Sequence, residues 1–165
     1  RGHDGWIEVN SEVGKGAVFN IFLPRAVEEI DTVTEIKNED LEGGIETILL
    51  VDDEEIVRTM GKTMLERFGY KVILAENGLE GLEIYKKQMK KIGLVILDLT
   101  MPKKSGRETL VEMIELNPQI NIIVSSGFDR SGPVEDLLRL GAKGFVQKPY
   151  RISEMLQVVR GVLDM

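Results

Sequence analysis

Two places in the chain put carboxylates directly after an apolar run. The run 94–97 is followed by Asp98, and the run 48–51 is followed by Asp52 and Asp53. A continuous apolar run is typical of a strand buried on both faces of a parallel sheet. The carboxyl ends of parallel strands meet at one edge of the sheet, so the three carboxylates would converge there. Such a cluster repels itself unless a cation or proton lies in it, so we predict a divalent-metal pocket around a reactive aspartate.

The expected cofactor of this pocket is Mg²⁺, which prefers oxygen ligands and takes one or two carboxylates from a protein. We assign Asp53 and Asp98 as its direct ligands and expect Asp52 to hold a bound water. The main-chain carbonyl of Thr100 is a further candidate ligand.

The same edge carries groups suited to phosphoryl chemistry. Asp98 is placed to attack phosphorus as a nucleophile, as carboxylates do in aspartyl-phosphate enzymes. Lys148 and the hydroxyl of Ser126, each at the end of a later predicted strand, would hold the remaining phosphoryl oxygens. The predicted catalytic set is therefore Asp98, Lys148 and Ser126.

From residue 47 onward, strand and helix patterns alternate. Strands are predicted near 47–52, 70–75, 93–98, 120–125 and 143–147, and helices near 54–68, 77–90, 105–116, 132–140 and 151–163. Five strands alternating with five helices predict an α/β fold with a doubly wound parallel sheet.

The first part of the chain differs from the rest. Alternating apolar residues around the turn 14–16 predict a β-hairpin within residues 1–24. Residues 25–45 are rich in Glu and Asp, which favours an acidic linker over the alternative of a short helix near 27–36. The predicted phosphoacceptor domain covers 46–165.

Composition excludes several classes of function. The 165 residues carry a formal net charge of −7 and no basic run, so we expect no direct contact with nucleic acid. The absence of cysteine excludes disulfides and thiolate metal sites. We see no signal peptide and no apolar run of membrane length, so we expect a cytoplasmic location without membrane contact. The first residue is Arg, so we expect a piece of a longer protein, and a membrane anchor elsewhere in that protein stays open.

Residues 46–165 resemble the receiver domain of bacterial two-component response regulators. The matching motifs are 51–53, Val-Asp-Asp; 98–102, Asp-Leu-Thr-Met-Pro, with Gly106; 125–127, Ser-Ser-Gly; and 148–149, Lys-Pro. This resemblance implies the flavodoxin-like receiver fold and Mg²⁺-dependent acceptance of a phosphoryl group from a phosphohistidine donor, within a phosphorelay.

The resemblance also implies a role for each matching residue. Asp98 is the phosphoacceptor, Asp53 a direct Mg²⁺ ligand and Asp52 a ligand largely through water. Lys148 contacts the phosphoryl group, and its bond to the following proline is cis in the family.

Two further residues are implied as a switch. Ser126 matches the switch hydroxyl, and Phe145 takes the place of the switch aromatic, which is expected to turn inward on phosphorylation. One loop departs from the family pattern: Lys104 and Ser105 replace an apolar residue and an Asp. We therefore expect that loop to be looser or differently packed.

The hairpin carries a weaker, second resemblance. Residues 5–24 look like the last two strands of a histidine-kinase ATP-binding domain, and hairpin, acidic linker and receiver follow one another as in a hybrid histidine kinase. Two strands alone are marginally stable in water, so we expect a partner that buries the apolar face. The surface of the receiver in the same chain is one candidate, and we favour the other, a homodimer through residues 5–24.

Two other functions stay open from the residues alone. A haloacid-dehalogenase-type phosphatase also uses an aspartate nucleophile at a strand end, although it would need an Asp where this chain has Thr100. A non-catalytic flavodoxin-like binding module shares the fold, although the acidic edge would repel a flavin phosphate.

Overall fold

The computed structural model describes residues 5–24, 42–127 and 133–165. The chain divides into two compact units, residues 1–36 and 37–165, which are described separately below. Most of the predicted acidic linker, residues 25–41, lies outside the described residues. None of the helices in the described part of the chain has the length and apolar character that a membrane span requires.

The first unit contains the predicted hairpin. Strands β1 (Trp6–Glu12) and β2 (Gly16–Phe22) pair antiparallel, with Val9 opposite Phe19. Trp6 stacks on Phe22 with ring centroids 4.8 Å apart. Every residue of both strands is solvent-exposed within this unit, so the apolar face formed by alternate residues is uncovered there.

The second unit is the predicted doubly wound α/β domain. Its strands are β3 (Thr47–Val51), β4 (Lys71–Ala75), β5 (Ile92–Asp98), β6 (Ile122–Ser126) and β7 (Gly144–Gln147). Its helices are α1 (Glu55–Glu66), α2 (Gly78–Gln88), α3 (Gly106–Leu116), α4 (Pro133–Arg139) and α5 (Ile152–Leu163). The five strands are parallel in the order β4-β3-β5-β6-β7. The predicted fold class is confirmed, and the predicted strands and helices each match an observed one.

The apolar runs in β3 and β5 explain why these two strands lie in the middle of the domain. Alternate residues of a strand point to opposite faces of the sheet. On one face, Leu49 and Leu97 belong to a buried cluster with residues of α2 and α3. On the other face, Leu50 and Ile96 belong to a second cluster with residues of α1 and α5. Burial on both faces fixes the strand ends, and therefore the carboxylates that follow them.

One close approach ties α3 to the end of β5. Ser105 caps α3 through a reciprocal capping box with Glu108, and the Gly106 N–H donates to the Leu99 carbonyl over 3.2 Å. A Cβ on Gly106 would lie 2.1 Å from the carbonyl oxygen of Asp98. Only a residue without a side chain fits at this point of the fold.

We expect Gly106→Ala to destabilise the domain by about 1–3 kcal/mol or more, because the methyl group meets backbone that cannot move aside. Gly161→Ala is the matched control, since a Cβ there meets no atom within 4 Å on the exposed side of α5. It should stabilise the domain by about 0.5–1 kcal/mol through helix propensity. Urea unfolding of both variants measures the difference, and equal midpoints would contradict the close approach.

Candidate functional site

The three predicted carboxylates meet at the carboxyl edge of the sheet. Asp52 and Asp53 follow β3, and Asp98 is the last residue of β5. One ligand atom from each residue lies within 4.8 Å of the others. The side chains of Asp52 and Asp98 are buried, whereas that of Asp53 faces solvent. The cluster therefore has an open side through which a small ion or a phosphoryl group can reach it.

Lys148 enters this cluster from the loop after β7. Its Nζ lies 2.7 Å from Oδ2 of Asp52 and 3.1 Å from Oδ2 of Asp98, and 3.7 Å from Oε1 of Glu54. The bond between Lys148 and Pro149 is cis, as the resemblance implied. One ammonium group thus bridges the ends of β3 and β5.

The charges in this cluster do not balance. Burial alone acts to lower the pKa of Lys148, but the carboxylates of Asp52 and Asp98 outweigh it and the pKa is raised. Burial raises the pKa of Asp98, and the charge of Asp52 adds to this effect while Lys148 opposes it. Lys148 therefore stays protonated between two buried carboxylates. Its single positive charge does not fully neutralise their negative charges.

The oxygens of Asp52 show where a further cation would fit. Oδ1 accepts a hydrogen bond from the Glu54 N–H over 3.0 Å, and the Asp52 carbonyl accepts one from Arg58 Nη1 over 2.5 Å. Oδ2 is buried, and no donor in the described part of the chain reaches it with hydrogen-bond geometry. Its contact with Lys148 is an ion pair rather than a well-oriented hydrogen bond. This orphaned carboxylate oxygen, in a cluster with excess negative charge, fits a divalent cation.

The remaining predicted residues lie around the same edge. Ser126 ends β6 and is buried, and its carbonyl accepts the Lys148 N–H over 2.9 Å. Thr100 is exposed and lines a cleft together with Asp53, Asp98 and Lys148. Every predicted catalytic and metal-ligating residue is therefore on this edge.

Phe145 lies in β7 and is only 5% exposed. It belongs to the buried cluster on the α2 and α3 face of the sheet. The inward position is the one that the switch prediction assigned to the phosphorylated form.

The loop between β5 and α3 is differently packed rather than loose. Lys104, which replaces the expected apolar residue, is largely buried and forms an ion pair with Glu112. Ser105, which replaces the expected Asp, supplies the N-cap of α3. Lys103 completes the turn with a φ of 69°. Polar contacts hold this loop where the family pattern has an apolar anchor.

Three side chains around the pocket were absent from the predicted set. Glu54 and Arg58 reach it from the start of α1. Tyr150 lies behind it, with its hydroxyl donating to Ser125 over 3.2 Å. Their positions depend on tertiary packing, and the only sequence signals were proximity to Asp52 and to the Lys148–Pro149 pair.

The fold and the acidic edge with its bridging lysine define a doubly wound domain of the receiver type. The family model for the response regulator receiver domain matches residues 48–160. The chain therefore belongs to the receiver domain family, which transmits signals in phosphorelays through phosphorylation of an aspartate.

Two curated relatives show the extent of the similarity. Sensor kinase CckA of Brucella abortus is 34% identical over 168 residues, which cover 97% of this chain and 18% of that protein. Chemotaxis protein CheY of Bacillus subtilis is 35% identical over 118 residues, which cover 71% of this chain and 97% of the relative. The chain thus spans less than a fifth of the sensor kinase and nearly all of the chemotaxis protein.

Two solved structures share the fold of the second unit. A receiver domain protein from Clostridium thermocellum superposes with a TM-score of 0.69 at 28% identity, covering 72% of this chain and 94% of that one. The CheX-CheY-BeF3-Mg+2 complex from Borrelia burgdorferi gives a TM-score of 0.69 at 31% identity, covering 71% of this chain and 88% of that one.

The charge imbalance predicts that Asp98→Asn stabilises the metal-free domain. The raised pKa of Asp98 means that the folded chain binds a proton more tightly than the unfolded chain does. Ionised Asp98 therefore destabilises the fold at neutral pH, and this cost is relieved as pH falls through the folded pKa. Thermal unfolding in EDTA at pH 7 should show a melting temperature a few degrees higher for the variant. A lower melting temperature would mean that the ion pair with Lys148 outweighs the cost of burial.

Proposed function

We propose that Asp98 is the phosphoacceptor of this domain. A carboxylate oxygen of Asp98 attacks the phosphorus of a phosphohistidine, the P–N bond breaks, and an acyl phosphate forms as the imidazole leaves with a proton. The observation that carries this proposal is the position of Asp98, buried at the end of β5 yet lining an open cleft. A buried carboxylate facing an open cleft is a nucleophile that an incoming phosphoryl group can reach.

Lys148 and Ser126 hold the phosphoryl oxygens in this proposal. Lys148 already contacts Asp98, so its ammonium group lies where negative charge develops during transfer. Ser126 is the proposed switch hydroxyl, which moves toward the phosphoryl group once Asp98 is modified. We propose Phe145 as the aromatic partner of this movement, with its buried position as the signalling form.

The proposed cofactor is Mg²⁺, held by Asp53 and Asp98, with Asp52 acting through water and the Thr100 carbonyl as a further ligand. Bound there, the ion supplies positive charge that neutralises the carboxylates and polarises a phosphoryl oxygen. The support is the converging carboxylate oxygens and the orphaned Oδ2 of Asp52.

Incubation with acetyl phosphate and Mg²⁺ should add one phosphoryl group to the chain, measured by intact mass. Asp98→Ala and addition of EDTA should each abolish the modification. Asp136→Ala is the matched control, because this exposed residue of α4 lies outside the acidic cluster and should leave the modification intact. Modification that persists in Asp98→Ala would refute the assignment.

The wider context that we propose is the receiver end of a hybrid histidine kinase. The similarity to a sensor kinase extends over 97% of this chain and therefore includes residues outside the receiver match. The proposed donor is a phosphohistidine on a kinase dimerisation domain or a phosphotransfer protein. The proposed location is the cytoplasm, where such donors are made from ATP.

We further propose that the hairpin mediates a homodimer. Ile7, Val9, Phe19 and Ile21 form one face of the two strands, and each is at least 53% exposed within its unit. A second copy of the same face would bury these side chains by isologous packing.

Light scattering after gel filtration should give a dimer for the full chain and a monomer for residues 46–165. Phe19→Lys should produce monomers, because it places a charge on the apolar face. Asn20→Lys is the control on the opposite face, next to Glu8, and should leave the dimer intact. A monomeric parent chain at high concentration would exclude the hairpin dimer.

A further inference from the structure

A buried tyrosine lies directly behind the acidic pocket. Tyr150, two residues after Lys148, is 7% exposed, and its hydroxyl donates a hydrogen bond to Ser125 Oγ over 3.2 Å. Ser125 is fully buried. Two hydroxyl groups thus meet in the interior between the β7–α5 loop and β6.

The ring of Tyr150 packs against α1 at Gly61. A Cβ on Gly61 would lie 2.8 Å from Leu50 Cδ2 and 3.4 Å from Tyr150 Cε2, so the small residue on α1 leaves room for both side chains. Leu50 lies in β3, two residues before Asp52. The ring therefore packs near the carboxyl end of β3, which Asp52 follows. The hydroxyl of this packed ring has little freedom to move.

Ser125 links the tyrosine to the strand that carries the acceptor. Ser125 lies opposite Asp98 in the pairing of β5 with β6, and its carbonyl accepts the Leu99 N–H over 3.1 Å. The next residue is Ser126, whose carbonyl accepts the Lys148 N–H. A shift of Ser125 would therefore move the backbone next to Asp98 on one side of the pocket and the backbone of Lys148 on the other.

The hydroxyl also lies in the field of the pocket carboxylates. Burial raises the pKa of Tyr150, and although Ser125 opposes this, Asp52 and Asp98 raise it further. The phenol therefore keeps its proton, which it donates to Ser125 Oγ. A neutral hydroxyl there can hold Ser125 without competing with a cation by charge.

We propose that Tyr150 is a positioning residue for the divalent-cation site, with its hydroxyl holding Ser125 and, through the backbone pairing of Ser125, the end of β5 that carries Asp98 in the arrangement that the cation needs. This inference rests on the Mg²⁺ site of the proposed function. Groups behind a metal site commonly orient those that face the ion, and their loss typically weakens metal binding. Without the hydroxyl, Ser125 loses this hydrogen bond, and the end of β5 that pairs with it is held less firmly.

The test is the Mg²⁺ affinity of Tyr150→Phe, which removes only the hydroxyl. Calorimetric titration of the full chain with MgCl₂ should give binding about tenfold weaker than in the parent chain. Phosphorylation by acetyl phosphate should require correspondingly more Mg²⁺ yet reach the parent rate at saturation. Such a split separates positioning of the cation site from a general loss of folded protein.

Tyr85→Phe is the matched control. Tyr85 is a second buried tyrosine, whose hydroxyl accepts a hydrogen bond from Asn117 Nδ2 over 3.0 Å on the α2 and α3 face of the sheet. It should lose one partly buried hydrogen bond and keep the parent Mg²⁺ affinity. Ser125→Ala should weaken Mg²⁺ binding as Tyr150→Phe does, and the double variant should lose no more than either single one.

The outcomes distinguish the positioning role of Tyr150 from the proposed Mg²⁺ site itself. Unchanged affinity in Tyr150→Phe, or an equal loss in Tyr85→Phe, overturns the positioning role while the Mg²⁺ site stands. Additive losses in the double variant overturn the linkage through Ser125. A parent chain that does not bind Mg²⁺ overturns the cation site itself, and the positioning role with it.

Discussion

One ammonium group shared by two buried carboxylates is the interaction on which the site depends. Lys148 contacts Asp52 and Asp98 at ion-pair distance, and neither carboxylate is open to bulk water. Removing the ammonium group would leave two buried carboxylates uncompensated, whereas removing the charge of Asp98 would leave Asp52 and Lys148 as a balanced pair. The excess negative charge keeps the edge receptive to a cation. It also keeps the lysine protonated beside Asp98, the proposed phosphoacceptor.

The rest of the domain is built to hold that charged group in place. β3 and β5 are buried on both faces, so the residues at their carboxyl ends are placed by hydrophobic packing rather than by their own contacts. Gly106 brings α3 against the backbone of Asp98, and Ser126 binds the backbone of Lys148. The repulsion between these like charges destabilises the fold, and the hydrophobic packing of the sheet compensates for it. Such a cost in stability is common at functional sites.

The sequence contained enough to predict the fold and the residues of the edge. Unbroken apolar runs mark buried parallel strands, and parallel strands necessarily deliver Asp52 and Asp98 to one edge. The side-chain contacts that depend on tertiary packing could not be predicted from the sequence pattern alone. Lys104, which stands where the family has an apolar residue, forms an ion pair with Glu112, and Phe145 lies in the core without any change at Asp98.

Side-chain direction accounts for the other residues that were missed. Tyr150 was absent from the predicted set, and nothing in the local sequence indicated that its hydroxyl would meet Ser125. Residues 25–41 lie outside the described residues, so the acidic linker stays a prediction.

The most direct test of the account is a crystal structure of the chain grown with Mn²⁺ and beryllofluoride, with anomalous data at the manganese edge. Mn²⁺ substitutes for Mg²⁺ at oxygen-ligand sites. The account predicts one strong anomalous peak among Asp52, Asp53 and Asp98, with beryllofluoride on the Asp98 carboxylate in contact with Lys148. Beryllofluoride on another residue, or manganese bound elsewhere with this cluster empty, would contradict it.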